Sequence, residues 1–518
     1  MQHSKKTYTM RTIKYNKIFM GLFLVGALGC TDLEIEETDS RFGNLSGEFT
    51  GIDPESNLTN LFNSLRGQIA TQENLYALSE VTTDEMVVPT RGTDWGDNGL
   101  WRTLHTQTWD ANHNFVRNTW NGFNQLIFNA TAIIDTRSNP SPLQAAQAKF
   151  IRAYAMFVLT DLYGQVPFRA PDEGPDVNPM VMSRAEAITF IENDLNEALA
   201  VLPSSGPSAE LNRPTKAAVR YLQAKILLNK HIYLGTGTAA AADMTAVVGL
   251  VDAIKAEGFD LQAGYFDLFT DSVDSETIFF TTSDVGAKIW NGLHYKQNTP
   301  DNTGGGWNGF ATLSEFYDLF EGDEQVNVPG SGQEERRGYV PTDGSHFGIG
   351  YGFLINQQYD ATGEAMTDRS GNPLVFTREF PSLIVNNEVT GIRMIKFHPE
   401  NGAFANHTVL FRYADAHLMK AEAIMRGGSS GDDALAMVNE LRVLRDAEPF
   451  TSLTDENLLA ERGRELYAEY WRRMDLIRFG KFTEAWGYKE ATEDFRVLFP
   501  IPTTAVITNP NLIQNPGY

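Results

Sequence analysis

Cysteine is nearly absent from this chain, since Cys30 is the only one among 518 residues. A single thiol excludes an intramolecular disulfide framework and a zinc site built on cysteines. Basic residues are also scarce, with 42 lysines and arginines against 66 acidic residues. A chain with this charge repels nucleic acids, so the composition argues against DNA or RNA binding. The apolar run at residues 18–28 is shorter than the roughly 20 residues that cross a bilayer.

The first 29 residues have the layout of a secretory signal peptide, with a basic stretch followed by a short apolar run. The run ends in Ala27-Leu28-Gly29-Cys30, which resembles the lipobox of bacterial lipoproteins. We therefore expect cleavage before Cys30 and lipidation of its thiol, which anchors the chain stably because buried methylenes contribute about 0.8 kcal/mol each. An ordinary signal peptide with an incidental cysteine is the alternative. Residues 30–50 are expected to form an acidic tether, and they resemble the signals that direct lipoproteins to the outer face of the outer membrane.

Helical periodicity appears in two parts of the chain. It predicts helices over residues 58–69, 115–134, 145–163, 183–199, 216–231, 409–425, 432–444 and 458–473. Ser183 and Glu186 have the spacing of a capping box, and Thr215 is expected to cap the next helix. The helical tryptophans Trp120 and Trp471 are expected in the core.

The region between these two helical parts is rich in glycine and has short β-rich runs such as residues 277–282. We therefore expect one domain over residues 51–518. Its helical frame covers about 51–257 and 406–480, and a loop-rich, partly β insert covers about 258–405. The helix pairs are similar in length to tetratricopeptide units, although the full repeat signature is absent.

Five segments occur in a characteristic order: 148–168, 213–218, 410–423, 461–478 and 509–518. Together they resemble the SusD/RagB family of outer-membrane glycan-binding lipoproteins. The resemblance implies a mostly helical SusD-like fold with four tetratricopeptide-like helix pairs and a ligand surface in the loop-rich region. It also implies a partner, a SusC-like TonB-dependent transporter that the lipoprotein covers as a lid. Within the segments, Arg152, Tyr154, Asp475 and Arg478 are expected to hold helices together.

Neutral sugars are bound by flat aromatic faces, with polar side chains at their hydroxyl edges. Trp95, Trp290 and Trp307 lie in polar, glycine-rich segments, so they are expected as exposed platforms, followed by Trp101 and Tyr295. The polar neighbours expected to contact hydroxyl groups are Arg91, Asp94, Asp97, Asn98, Asn291, Lys296 and Asn308.

Signals for an enzyme, a metal or a cofactor are poor. The motif G-x-S-x-G at residues 427–431 joins two predicted helices, whereas a nucleophile elbow needs a strand before the serine. No H-E-x-x-H motif occurs. Asp271, Asp274 and Glu276 lack the spacing of a calcium-binding loop. We therefore expect a protein that is not an enzyme and holds neither metal nor cofactor.

The expected function is capture of oligosaccharides at the cell surface and their delivery to the transporter. Several widely spaced tryptophan platforms suit a neutral glucan that curves or twists, such as a laminarin-like β-1,3-glucan or an α-glucan. The acidic chain disfavours sulfated or uronic polymers, because it repels them. Two alternatives stay open. One is a surface glycoside hydrolase, and the other is a tetratricopeptide-type lipoprotein that binds peptide or protein.

Overall fold

The fold is mostly helical, as predicted. The computed structural model describes residues 49–174, 176–403 and 406–518, so the signal peptide, Cys30 and nearly all of the tether lie outside it. The helices are α1 (Pro54–Ala70), α2 (Leu75–Glu80), α3 (Leu100–His105), α4 (Asn114–Ile134), α5 (Pro142–Tyr163), α6 (Arg184–Val201), α7 (Lys216–Tyr233), α8 (Ala241–Lys255), α9 (Gly286–Trp290), α10 (Ser314–Tyr317), α11 (Tyr413–Met425), α12 (Ala434–Leu444), α13 (Asp455–Leu466), α14 (Arg472–Arg478) and α15 (Thr503–Thr508).

The longer helices pack in pairs. These are α1 with α4, α5 with α6, α7 with α8, and α11 with α12. Further contacts join α4 to α5, α6 to α7 and α8 to α11, so that the pairs form one continuous stack. None of the helices in the described ranges has the length and apolar character needed to cross a bilayer.

Local capping explains where several helices begin and end. The Ser183 hydroxyl accepts a hydrogen bond from the backbone N–H of Glu186, whose carboxylate accepts one from the N–H of Ser183, as the predicted capping box requires. Thr215 caps α7 in the predicted way. Helix α5 ends at Gly164, whose φ of +72° favours glycine.

Two predicted helices differ in the structure. The pattern predicts a helix over residues 409–425, but residues 407–412 form a strand and the helix begins at Tyr413. All six strand residues are buried, so no polar face separated the two possibilities. The predicted helix over 458–473 ends at Leu466, because Ala468 and Tyr470 adopt positive φ angles before α14 begins. The carboxylates of Glu85 and Glu80 accept hydrogen bonds from these two backbone N–H groups.

The chain between α8 and α11 is loop-rich, as predicted, and carries most of the strands. The strands of the protein are β1 (Gln165–Phe168), β2 (Met180–Ser183), β3 (Thr277–Thr282), β4 (Gly338–Tyr339), β5 (Tyr351–Leu354), β6 (Asn356–Gln357), β7 (Val375–Phe376), β8 (Arg393–Ile395) and β9 (His407–Arg412). Antiparallel pairs join β1 to β2, β3 to β9 and β6 to β7, while β5 lies between β4 and β8.

The loop-rich part and the helices share one apolar core. Phe279 of β3 packs between Phe150 of α5 and Phe411 of β9, with ring centroids 5.3 Å and 5.6 Å apart. Buried ion pairs join the same parts. The carboxylate of Glu465 on α13 accepts hydrogen bonds from three buried guanidinium groups, those of Arg336, Arg412 and Arg445.

The family segments hold helices together, as expected. The guanidinium group of Arg152 on α5 forms a buried ion pair of 2.7 Å with Asp194 on α6. Arg478 on α14 binds Glu422 on α11 with an N–O distance of 2.7 Å, and Tyr154 is buried. These side chains therefore stabilise the contacts between helices.

Candidate ligand-binding surface

Three segments far apart in sequence meet at one face of the protein. They are the loop 91–99, the segment 290–310 and the loop 386–393. The indole Nε1 of Trp95 donates a 2.8 Å hydrogen bond to the carbonyl oxygen of Trp307. The backbone N–H of Gly92 donates to the carbonyl of Asn386 at 3.2 Å. We call the face around Trp95, Tyr295 and Trp307 the aromatic surface.

Trp307 is the most exposed ring of the aromatic surface, with 40% of the residue accessible to solvent. Its backbone carries the contacts that hold it. The N–H donates to the carbonyl of Trp290 at 2.6 Å, and the carbonyl accepts from Trp95. The indole ring is therefore free to contact a ligand without loss of these bonds.

Trp95 is half-buried and held in one position. Its ring packs edge-to-face against Trp101 and Phe310, at centroid distances of 5.8 Å and 5.6 Å. The ring also lies against Gly309, where an added Cβ would come within 2.2 Å of Cε2. Only glycine at position 309 lets the indole ring lie this close to the segment.

The loop that carries Trp95 is conformationally strained. Trp95, Asp97 and Asn98 all adopt positive φ angles, which are costly for residues other than glycine and cluster at functional sites. Asp97 accepts a 2.8 Å hydrogen bond from the indole N–H of Trp101, while Asn98 is exposed. Asp94 is half-buried and faces the next ring of the surface.

Tyr295 is half-buried, and its hydroxyl donates a hydrogen bond to the carboxylate of Asp94. Burial and this carboxylate raise the pKa of Tyr295 to about 12, so the hydroxyl keeps its proton at neutral pH. The guanidinium carbon of Arg369 lies 3.8 Å from the centre of the ring. The guanidinium plane of Arg369 therefore lies over the ring of Tyr295. The hydroxyl edge of Tyr295 is the part that can contact a ligand.

Sequence reasoning missed Arg369 and Glu388. The side chain of Arg369 is 55% exposed and its Nε lies 2.6 Å from the Glu388 carboxylate, which orients the guanidinium plane beside Tyr295. Both residues are distant in sequence from the tryptophans. The polar turn at residues 368–372 was the available signal, but composition does not reveal which loop faces which ring.

Two of the expected platforms are wrong. Trp290 and Trp101 are only 3% and 2% exposed, so neither ring is available on the surface. Trp290 ends the short helix α9 and packs in the core, and Trp101 packs under Trp95. The segment after Trp290 is polar in composition, yet it folds back tightly. An added Cβ at Gly305 would lie 2.1 Å from the carbonyl oxygen of Tyr295.

Three residues that were expected to contact sugar hydroxyls are instead buried beneath the aromatic surface, namely Arg91, Asn291 and Asn308. The Arg91 guanidinium donates to the carbonyls of Asn387 and Thr390 at 3.0 Å and 2.7 Å. Burial lowers the pKa of Arg91 to about 9. The side-chain amide of Asn308 donates to the carbonyl of Glu388 and accepts from the guanidinium of Arg393. The backbone carbonyl of Asn291 accepts from two backbone N–H groups. These side chains are therefore not available as hydroxyl contacts.

The weak enzyme and metal signals have structural explanations. Residues 427–431 lie in the connection between helices α11 and α12. Asp274 accepts hydrogen bonds from the N–H groups of Glu276 and Thr277, and Glu276 forms ion pairs with Arg412 and Arg445. Within the described ranges, no group of three histidine or acidic side chains is arranged to hold a metal ion.

Two family models match the sequence. The one described as "SusD family" matches residues 275–518. The one described as "Starch-binding associating with outer membrane" matches residues 36–228. The starch-binding protein SusD of Bacteroides thetaiotaomicron is 27% identical over 424 residues, which cover 72% of this chain and 73% of that protein. SusD-like protein P38 of Formosa agariphila is 25% identical over 432 residues, with coverage of 77% and 79%.

Solved structures share the fold. A SusD-like protein of Bacteroides fragilis has a TM-score of 0.69 at 19% identity, covering 90% of this chain and 97% of that one. A laminarin-binding SusD-like protein has a TM-score of 0.65 at 20% identity, with coverage of 90% and 99%. Surface glycan-binding protein A of Bacteroides thetaiotaomicron, in complex with laminarihexaose, has a TM-score of 0.66 at 17% identity, with coverage of 89% and 98%.

Proposed function

The chain belongs to the SusD/RagB family, and we propose that it captures oligosaccharides at the cell surface on its aromatic surface. The observation that carries this proposal is the exposed indole ring of Trp307 beside the half-buried ring of Trp95. Large aromatic rings lose little conformational freedom on binding and offer an apolar face to the C–H groups of a sugar. The proposed action is binding without catalysis, which agrees with the starch-binding name of the SusD relative.

The proposed contacts follow from the chemistry of each side chain. Trp307 and Trp95 stack against sugar rings, while Arg369 donates to hydroxyl groups from its exposed guanidinium plane. The carboxylates of Asp94 and Asp97 accept from sugar hydroxyls at the rim, and the hydroxyl of Tyr295, which donates to Asp94, accepts there as well. The positive charge of Arg369 is balanced by Glu388, so the pair favours a neutral ligand.

The proposed ligand is a neutral glucan. A β-1,3-glucan is supported by the names of two proteins with the same fold, one described as laminarin-binding and one bound to laminarihexaose. An α-glucan is supported by the starch-binding relative. Both polymers therefore belong in the first panel of ligands.

The proposed location is the outer membrane, with a lipid on Cys30 and a SusC-like TonB-dependent transporter as partner. The lipobox-like sequence Ala27-Leu28-Gly29-Cys30 and the outer-membrane description of the family model support this location. Substitution of Cys30 by serine is expected to move the protein out of the membrane fraction. Retention of the C30S variant there would contradict lipid anchoring at this residue.

Calorimetry with the full chain in detergent tests the glycan proposal against linear β-1,3- and α-1,4-gluco-oligosaccharides and a wider glycan panel. The Trp307→Ala variant is expected to lose about 2 kcal/mol of binding free energy, roughly a thirtyfold loss of affinity. Its fold is expected to persist, because the backbone of Trp307 makes the anchoring bonds.

The matched control is Ile513→Ala. It removes an apolar side chain that is 74% exposed in the C-terminal segment. This variant is expected to bind as the wild type does. Wild-type protein that binds no glycan, but retains a peptide or protein ligand, would replace the proposal with the tetratricopeptide-type alternative.

A further inference from the structure

A partly open cavity of about 170 Å³ lies beside the aromatic surface. We call it the side cavity. Its rim reaches solvent, because Asn298 and Ala361 are exposed. The side chains that matter most for its chemistry are Lys296, Asn298, Phe347, Tyr359, Ala361 and Met366.

The side cavity and the aromatic surface are built on the same two segments. Lys296 follows Tyr295 directly in the chain, and its ammonium group donates to the carbonyl of Asp368 at 2.6 Å and to the hydroxyl of Thr367 at 3.2 Å. Arg369, next along that segment, lies beside the ring of Tyr295. One pair of segments therefore runs from the aromatic surface to the cavity wall.

The walls of the side cavity are held in a strained conformation. His346 and Phe347 have φ angles of +54° and +61°, which are unusual for residues with side chains. The turn that contains them packs closely on the opposite wall, since an added Cβ at Gly348 would lie 2.4 Å from the carbonyl oxygen of Tyr359. Phe347 is thus presented at the cavity by a turn with little freedom to move.

The volume and lining fit one sugar ring. An apolar cavity of about 150 Å³ accommodates a benzene ring, so the side cavity has room for a single six-membered ring with its polar groups at the open rim. Phe347, Tyr359 and Met366 offer apolar contact. A lysine ammonium carries three donors, of which the contacts above use two.

One carboxylate oxygen of Asp360, which also lines the cavity, is committed to its own turn. It accepts from the N–H and the hydroxyl of Thr362 at 2.8 Å and 2.7 Å, and from the N–H of Glu364 at 3.1 Å. All three bonds end on Oδ1, so the other oxygen, Oδ2, can accept from a sugar hydroxyl beside the donors of Lys296 and Asn298.

We propose that the side cavity takes one further sugar residue of the glycan bound at the aromatic surface. This inference rests on the proposed function. The residue is carried either as the end of a longer chain or as a branch, and both present the same pyranose ring to the cavity. The cavity thereby makes affinity depend on the length or the branching of the glycan.

The test is a variant that fills the cavity. Ala361→Phe places a ring at an exposed lining position, and Ala365→Phe is the matched control because it adds the same ring at an exposed position on the same loop outside the lining. Calorimetry is run with a trisaccharide, a linear heptasaccharide and a singly branched oligosaccharide of the glucan that the wild type binds. Lys296→Met, which keeps the apolar stem and removes the donors, is measured in parallel.

Ala361→Phe is expected to weaken the binding of the heptasaccharide, the branched ligand or both by about tenfold, while the trisaccharide is unaffected. An effect on the linear heptasaccharide identifies a chain end, and an effect confined to the branched ligand identifies a branch. Lys296→Met is expected to weaken the same ligands, and Ala365→Phe none of them.

Unchanged affinity of both A361F and K296M for every ligand would overturn the side-cavity proposal alone, provided that Trp307→Ala still weakens all of them. Failure of the wild type to bind any glycan would overturn the proposed function and the side cavity with it. Melting curves of A361F separate a loss of folding from a blocked cavity, and K296M remains decisive if A361F does not fold.

Discussion

The indole nitrogen of Trp95 donates a 2.8 Å hydrogen bond to the backbone carbonyl of Trp307, a residue 212 positions away in sequence. This bond joins a strained early loop to a glycine-rich segment in the middle of the chain. It brings two residues with large aromatic rings together at one face, although neither lies on a long helix. The geometry of the aromatic surface therefore depends on loop contacts, and a small change beneath either ring is expected to alter ligand binding.

Substitution of Gly309 by alanine tests this dependence. The added Cβ would fall 2.2 Å from the ring of Trp95, so the ring is expected to move and glycan affinity to fall by about tenfold. Gly96→Ala is the control on the loop that carries Trp95, since its Cβ would meet its nearest neighbour at 3.8 Å. Calorimetry and tryptophan fluorescence measure both variants. Equal glycan affinities of G309A and G96A would show that the position of the Trp95 ring does not affect binding.

Arg369 is expected to contribute to binding more than to stability. Arg369→Gln removes the guanidinium plane beside Tyr295 and the ion pair with Glu388, yet the side chain is exposed and such pairs stabilise folding weakly. We expect about a tenfold loss of glycan affinity with little change in melting temperature.

Arg369→Lys is expected to restore little of the lost affinity, because an ammonium group lacks the flat plane of a guanidinium. The control is Arg137→Gln, which breaks a comparable Arg–carboxylate pair with Asp135 in the helical frame. A melting temperature of R369Q well below that of R137Q would show that Arg369 stabilises the fold instead of contacting the ligand.

The helical frame could be predicted because its information is local. Ser183 and Glu186 cap α6 through bonds three residues apart, and Gly164 ends α5 through its own φ angle. The strand β9 could not be distinguished from a helix, since its side chains are buried on both faces and its partner β3 lies more than a hundred residues earlier.

The aromatic surface was predicted only in part, because its geometry depends on contacts between residues that are far apart in the sequence. Trp290 and Trp307 both lie in polar, glycine-rich sequence, but tight contacts along the segment turn one ring inward and leave the other exposed. The contribution of Arg369 depends on a loop that meets Tyr295 only in the folded chain. Local composition does not contain these long-range pairings.

The buried carboxylate of Glu465 is expected to be essential for folding. Burial opposes its ionisation, but the guanidinium groups of Arg445, Arg412 and Arg336 outweigh this effect and hold the pKa of Glu465 well below its ordinary value. Glu465→Gln would remove the carboxylate that these three buried cations share, while each keeps a second carboxylate partner, at an expected cost of about 3 kcal/mol in the free energy of unfolding.

Urea denaturation measures this loss. The matched control is Glu484→Gln, which breaks the exposed pair with Lys481 and is expected to leave stability unchanged. Comparable midpoints for E465Q and E484Q would contradict a structural role for the buried network.

Glu80 is expected to make stability depend on pH. Its carboxylate accepts from the N–H of Tyr470 in the break between α13 and α14, and burial raises its pKa to about 7. The charged or titratable groups around it are Glu85, Lys396, Glu469, Tyr76, Tyr470 and Lys288. Because the folded pKa lies above the ordinary value of 4.5, the folded state binds the proton more tightly than the unfolded state does.

The stabilisation from the Glu80 proton is therefore complete below about pH 4.5 and is lost as the pH rises through about 7. Glu80→Gln imitates the protonated form at every pH and retains an acceptor for Tyr470. We expect E80Q to gain stability relative to the wild type as the pH is raised from about 5 to about 8.

The difference between the E80Q variant and the wild type is the quantity to measure, by urea denaturation at each pH. Taking this difference largely cancels the contributions of groups that titrate in both proteins. Examples are His294 and His398, in which burial lowers the pKa to about 4. Glu456→Gln, at an exposed position on α13, is expected to show no such trend. If the difference in unfolding free energy between E80Q and wild type stays constant across this pH range, Glu80 does not bind a proton on folding. An ionised carboxylate would then hold the α13–α14 break equally well.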